Sequence, residues 1–111
     1  MRWVVETLNP SVDAELEALP AGLRARIARI ARIAELIEAV GLERVGEPHV
    51  KQLEGKLWEM RAMGPDSVAR AICMTVTGRR VVILHAFVKK SQKTPRQALD
   101  TARQRAKELN R

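Results

Sequence analysis

The chain has 111 residues, 20 Lys+Arg against 13 Asp+Glu, a formal net charge of +7 and one cysteine. That length fits a single domain over 1–111 with one core, a lone cysteine excludes an intrachain disulfide, and no apolar run approaches the ~18 residues of a membrane-spanning helix. Acids follow directly after a very short apolar run at the N-terminus, so no export signal is read and a cytoplasmic setting is expected.

"RWVVETL" predicts a first strand, with Trp3 and adjacent valines. "NPSVDAELEALP" predicts a short helix capped by Asn9 or Ser11, acidic in its first turns and ended by Pro20. The next segment, "AGLRARIARIARIAELIEAVG", is the most regular in the chain. Leu23, Ile27, Ile30, Ala34 and Ile37 recur at helical spacing and Gly41 is a natural stop, so an αα-hairpin is expected. Arg26, Arg29 and Arg32 form a slanting stripe, read as a solvated outer face in preference to an RNA or partner contact.

Turn signals stand at Glu47-Pro48 and Glu54-Gly55-Lys56. Residues 57–62 alternate with period two and predict a strand. "MGPDS" is a turn, "VARAICMTV" a strand with Val68, Arg70, Ile72 and Met74 on one face, and "TGR" a tight connection in which Gly78 is free to take a positive φ. Cys73 lies in this apolar run and is expected in the core rather than as a nucleophile. "RVVILHAFV" is apolar on both faces and is expected to be central in its sheet. "RQALDTARQRAKELN" predicts a last helix whose stripe (Leu99, Ala102, Ala106, Leu109) is thin, so weak docking is expected. The order β-α-α-β-β-β-α describes a small α+β domain: a mainly antiparallel sheet, a helical hairpin on one face, and a C-terminal helix.

The charge is unevenly spread. Residues 1–20 carry one base and four acids, whereas residues 89–111 carry eight bases and two acids. This is a footprint for a polyanion. No CxxC, HExxH, EF-hand, Walker or GxGxxG pattern is present, and His49 and His85 lack companions at ligand spacing, so neither a metal site nor a cofactor is expected. What remains is cationic chemistry. In a meander the ends of adjacent strands meet, which would bring Arg61 and Arg70 toward Lys89, Lys90 and Lys93. RNA carries its own nucleophile, the 2′-hydroxyl. A protein that orients it, moves its proton and stabilises the phosphoryl charge can cleave the backbone without a metal.

The segments "EGKLWEMR", "RAICMTV" and "VVILHAFVKKSQKTPRQALDTARQR", in that order, resemble the RelE/ParE superfamily of type II toxin–antitoxin toxins, nearest to the phage-derived HigB-like group. "FVKKSQKTP" is the most specific part, being similar to an F-x-K-K-x-x-K-T-P segment that leads into the last helix of such toxins. "KLWEMR" is similar to a "gLyElR" strand. The resemblance spans essentially the whole chain and implies that fold. It implies a toxin that cleaves mRNA at the ribosomal A site and so contacts ribosomal RNA. It also implies neutralisation by a cognate antitoxin, often a helix-turn-helix protein. Carried onto this chain, it assigns phosphate stabilisation to Arg70 and proton transfer to a lysine of the cluster, with Lys89 and Lys90 as catalytic candidates. Arg61, Lys93, Arg96 and Phe87 become RNA-binding candidates.

This chain departs from the pattern in having no tyrosine. Base stacking therefore falls to Phe87 or Trp58. His85 is a candidate for proton transfer, though a mid-strand position favours packing. Two other functions stay open: a ParE-like gyrase inhibitor, and a toxin-fold protein that binds without catalysis.

Overall fold

The computed structural model describes residues 4–27, 50–64, 67–76, 80–89 and 94–109. The elements are β1 (Val4–Thr7), α1 (Pro10–Glu17), α2 (described over 21–27), β2 (Val50–Glu54), β3 (Leu57–Met63), β4 (Val68–Val76), β5 (Arg80–Lys89) and α3 (Arg96–Leu109). They form a five-stranded sheet in the order β1-β5-β4-β3-β2. The β1–β5 pair is parallel and the other three pairs are antiparallel. The chain is α+β, as the sequence pattern predicts. The Arg29 and Arg32 stripe, Gly41, Gly78, Lys90 and Lys93 lie outside the described residues.

The start of α1 follows from its cap. Asn9 is extended, its Oδ1 accepts from the Val12 N–H at 3.1 Å, and Pro10 occupies the first turn, where a missing N–H costs nothing. The helix stops at Glu17, and the Pro20 carbonyl accepts from the Arg24 N–H at 2.9 Å to open α2.

One strand more is present than the sequence predicts. β2 reads VKQLE, and only Val50 is fully buried and Leu53 half-buried. An edge strand has a partner on one side only, so it needs little apolar alternation, and that hides it from a periodicity reading. A two-residue turn joins it to β3. Gly55 there has φ +50°, and Gln52 Nε2 donates to its carbonyl at 2.8 Å.

β5 lies inside the sheet between β1 and β4, as its apolar run predicts, and β4 is the middle strand. All residues from Val68 to Met74 are buried. β5 has β1 beside it only over Arg80–Ile83, so its outer edge beyond that point has no strand partner among the described residues. Its continuous hydrophobicity reflects a strand buried on both faces by helices, which does not require a strand on both edges.

The sheet is covered on both faces. On one, Val12, Leu19, Leu23 and Ile27 of the N-terminal helical segment pack on Met60, Ala71, Cys73 and Ile83. On the other, Ala98 and Ala102 of α3 pack on Ile72, Met74 and Leu84. Cys73 is fully buried, and burial with the nearby Glu59 charge pushes its thiol up to about 12, so it carries no thiolate at neutral pH. No described helix is long and apolar enough to cross a membrane.

A β-bulge decides what β5 shows to α3. Cys73 pairs with Ile83 but Ile72 pairs with His85, so Leu84 is an extra residue. Before the bulge Val81 and Ile83 face the N-terminal helices, and after it Ala86 and Val88 do. The inserted residue reverses the phase of the strand and turns His85 and Phe87 toward the side that α3 covers.

Candidate nucleic-acid interface

Two of the predicted cations meet, but in the interior. The Gly64 N–H donates to the Ser67 carbonyl at 2.8 Å, and the β3–β4 register sets Arg61 directly opposite Arg70. Both lie on the α3 side, with Glu59 two residues before Arg61 on the same face of β3. Glu59 is buried between them. Arg61 Nε donates to Glu59 Oε1 at 2.5 Å, and Arg70 Nη1 lies 3.6 Å from the same oxygen. Thr94 closes the group: its hydroxyl donates to Glu59 Oε2 at 2.9 Å and accepts from Arg70 Nη1 at 3.4 Å. Burial works against the Arg70 charge and Arg61 adds to that, while Glu59 sustains it.

Arg70 is therefore 0 % exposed and Arg61 only 8 %. Sequence reasoning expects Arg70 to face a phosphate, whereas its guanidinium faces a carboxylate and a threonine. The cluster ties β3 and β4 to Thr94, the residue two before α3 begins. It therefore sets where the chain enters α3. Glu59 and Thr94 were not anticipated. The usable signal was a lone acid sharing a strand face with Arg61, opposite a strand whose apolar face is broken by Arg70.

A second cluster covers the open edge of β5. Glu15 of α1 accepts from the Ala86 N–H at 3.1 Å, from Arg105 Nη1 at 2.9 Å, and meets His85 Nδ1 at 3.0 Å. Arg105 of α3 also donates to the Leu84 carbonyl at 2.8 Å. The two side chains thus satisfy edge groups that no strand reaches. Burial alone would raise the Glu15 pKa, but hydrogen bonds from Arg105, Ala86 and His85 outweigh it and hold the carboxyl below its ordinary value of 4.5. A carboxyl depressed in the fold stabilises above its unfolded value, and that stabilisation is lost as pH falls through the folded value. Acid titration of stability is expected to show a loss beginning below about pH 4.5, and Glu15→Gln should flatten that limb in urea melts run at stepped pH.

The remaining candidates lie where β5 ends and α3 starts. Lys89 is the exposed last residue of β5 and Arg96 the exposed first residue of α3. Phe87, half-buried, sits directly across from Arg70 and stacks on the His85 ring with centroids 5.0 Å apart and planes at 27°. His85, Phe87, Lys89, Pro95, Gln97, Ala98 and Thr101 line an open cavity of about 210 Å³. It has an aromatic wall, a cation on its rim and polar side chains from the first turns of α3, the combination that single-stranded nucleic acid uses.

A profile of the family described as phage derived protein Gp49-like (DUF891) matches residues 14–107. Among curated proteins, none matches this chain.

Proposed function

Because the chain belongs to the phage-derived Gp49-like family, a family of RelE-like toxins, we propose that it is the toxin of a type II toxin–antitoxin pair, of the HigB-like group. On this reading it is a ribosome-dependent mRNA endoribonuclease that halts translation. The observation that carries the reading is the cavity at the β5–α3 junction, where Lys89 and the His85–Phe87 ring pair meet just before two further lysines in sequence.

Within this proposal Lys89, Lys90 and Lys93 neutralise phosphates of mRNA and ribosomal RNA, Arg96 extends that field, and Phe87 supplies the stacking surface that tyrosine provides elsewhere. Arg70 and Arg61 act from beneath. Through Glu59 and Thr94 they fix where the chain enters α3, as positioning residues. An antitoxin, expected to be a helix-turn-helix protein, would neutralise the toxin. The test is brief induction in cells lacking any cognate antitoxin, with mapping of mRNA 5′ ends. New ends at ribosome A-site codons are expected, and intact mRNA in arrested cells would refute the nuclease reading.

The burial of Arg70 favours one other reading, a toxin-fold protein that binds without cleaving. Growth unaffected by expression, with antitoxin binding intact, would select it.

A further inference from the structure

Resting on the endoribonuclease reading, we infer that His85, oriented by Glu15, is the general base that takes the proton from the attacking 2′-hydroxyl of RNA. The mid-strand position of His85 suggests a packed residue, but the structure gives the ring a different setting. Nδ1 is engaged by a carboxylate at 3.0 Å. One face is stacked on Phe87, and the ring lines the cavity that also holds Lys89. The side chain is 18 % exposed, so it is enclosed yet reachable.

The imidazole is not needed to close the sheet edge. Ala86 N–H is satisfied by Glu15 and the Leu84 carbonyl by Arg105. Glu15 is held by those two donors whether or not a ring is present. The carboxylate is thus a fixed acceptor, and its effect on His85 is to select the tautomer protonated at Nδ1, which places the lone pair on Nε2. A histidine in that tautomer, braced by a ring and lining a cavity beside a lysine, has the composition of a proton-transfer site. The bulge at Leu84 is what makes this possible, because in its absence His85 would face the N-terminal helices.

The step balances without a further reactant. The 2′-oxygen bonds to phosphorus as Nε2 accepts its proton. The P–O5′ bond breaks, and the Lys89 ammonium gives a proton to the departing 5′-oxygen. The products are a 2′,3′-cyclic phosphate and a 5′-hydroxyl, and exchange with water returns both side chains to their starting states. Among the described residues, the charged groups around the ring are Glu15 from α1, with Arg105 of α3 bound to it, and Lys89 on the same strand. Gln97 and Thr101 of α3 are uncharged, as is Ile72, its partner on β4.

The experiment uses the full chain with mRNA-programmed ribosomes under single-turnover conditions. His85→Asn is expected to slow cleavage by about 100-fold or more. Ribosome binding should stay within about twofold, and added imidazole should restore part of the lost cleavage to a His85→Ala variant. Glu15→Gln, which leaves the ring in place, should slow cleavage by about tenfold with no response to added imidazole, and it carries the test if His85→Asn fails to fold. Cleavage by His85→Asn within threefold of wild type, no response of His85→Ala to imidazole, or an unchanged rate in Glu15→Gln would overturn the inference and leave the nuclease reading standing. A wild-type chain that cleaves no ribosome-bound mRNA would remove both.

Discussion

Glu59→Gln is expected to destabilise the fold by about 3–5 kcal/mol, the usual cost of removing one partner of a buried ion pair. One carboxylate at this site faces two guanidiniums and a hydroxyl. Its loss leaves Arg61 and Arg70 as like charges across a β-pair, with little solvent to screen them. Against a total stability of about 5–15 kcal/mol for a domain of this kind, the change would bring the chain near the edge of folding. Arg70→Met is expected to cost less, about 1–3 kcal/mol, because Glu59 and Arg61 still balance and no buried charge is stranded. Urea titrations of both variants check the order. If Arg70→Met proved the more damaging, Glu59 would not be the shared counterion.

Lys89→Ala combined with Lys90→Ala is expected to reduce ribosome-dependent cleavage by about 100-fold or more, the scale on which one positioned proton donor and one charge contact act together. The double variant should also weaken binding to single-stranded RNA and lower the salt slope of that binding by about 1.4, or 0.7 for each phosphate no longer neutralised. Filter binding across a salt series measures the slope, and timed mRNA cleavage measures the rate. A lower slope with an unchanged rate would place these lysines in binding alone. Thermal stability should hardly move, since Lys89 is exposed.

The two clusters explain how α3, which follows the lysine-rich stretch in sequence, is tied to the sheet. The last helix presents small residues to the sheet, Ala98 and Ala102, which allow close approach but bury little area. Polar ties add to that contact at both ends. Thr94 joins the start of α3 to Glu59 and Arg70, and Arg105 further along joins it to Glu15 and the Leu84 carbonyl. Arg103 reaches Glu54 across the β2–β3 turn, but this pair is exposed and contributes little. Thr94 and Arg105 thereby fix α3 against the strands at two points along its length.

Much of this was legible in the residues themselves. Helices with a capping Asn and a 3.6-residue apolar period, strands punctuated by Gly and Pro, and a basic C-terminal fifth are local signals, and each depends only on neighbours in sequence. The Arg61–Arg70 pairing was nearly legible too, because the turn signal in "MGPDS" limits the register of its hairpin. What the residues alone did not disclose depends on distant partners. β2 was hidden because an edge strand needs no apolar alternation. The burial of Arg70 was hidden too, since desolvating a guanidinium is tolerable only where a carboxylate such as Glu59 waits across the sheet. Glu15, His85 and Arg105, separated by 70 and 90 positions from end to end of their bonds, met only because β1 is too short to cover β5 and one inserted residue turns the strand over. Local chemistry determined the elements and the sign of the field, and the tertiary structure decided which charges were paired inside the protein and which stayed at its surface.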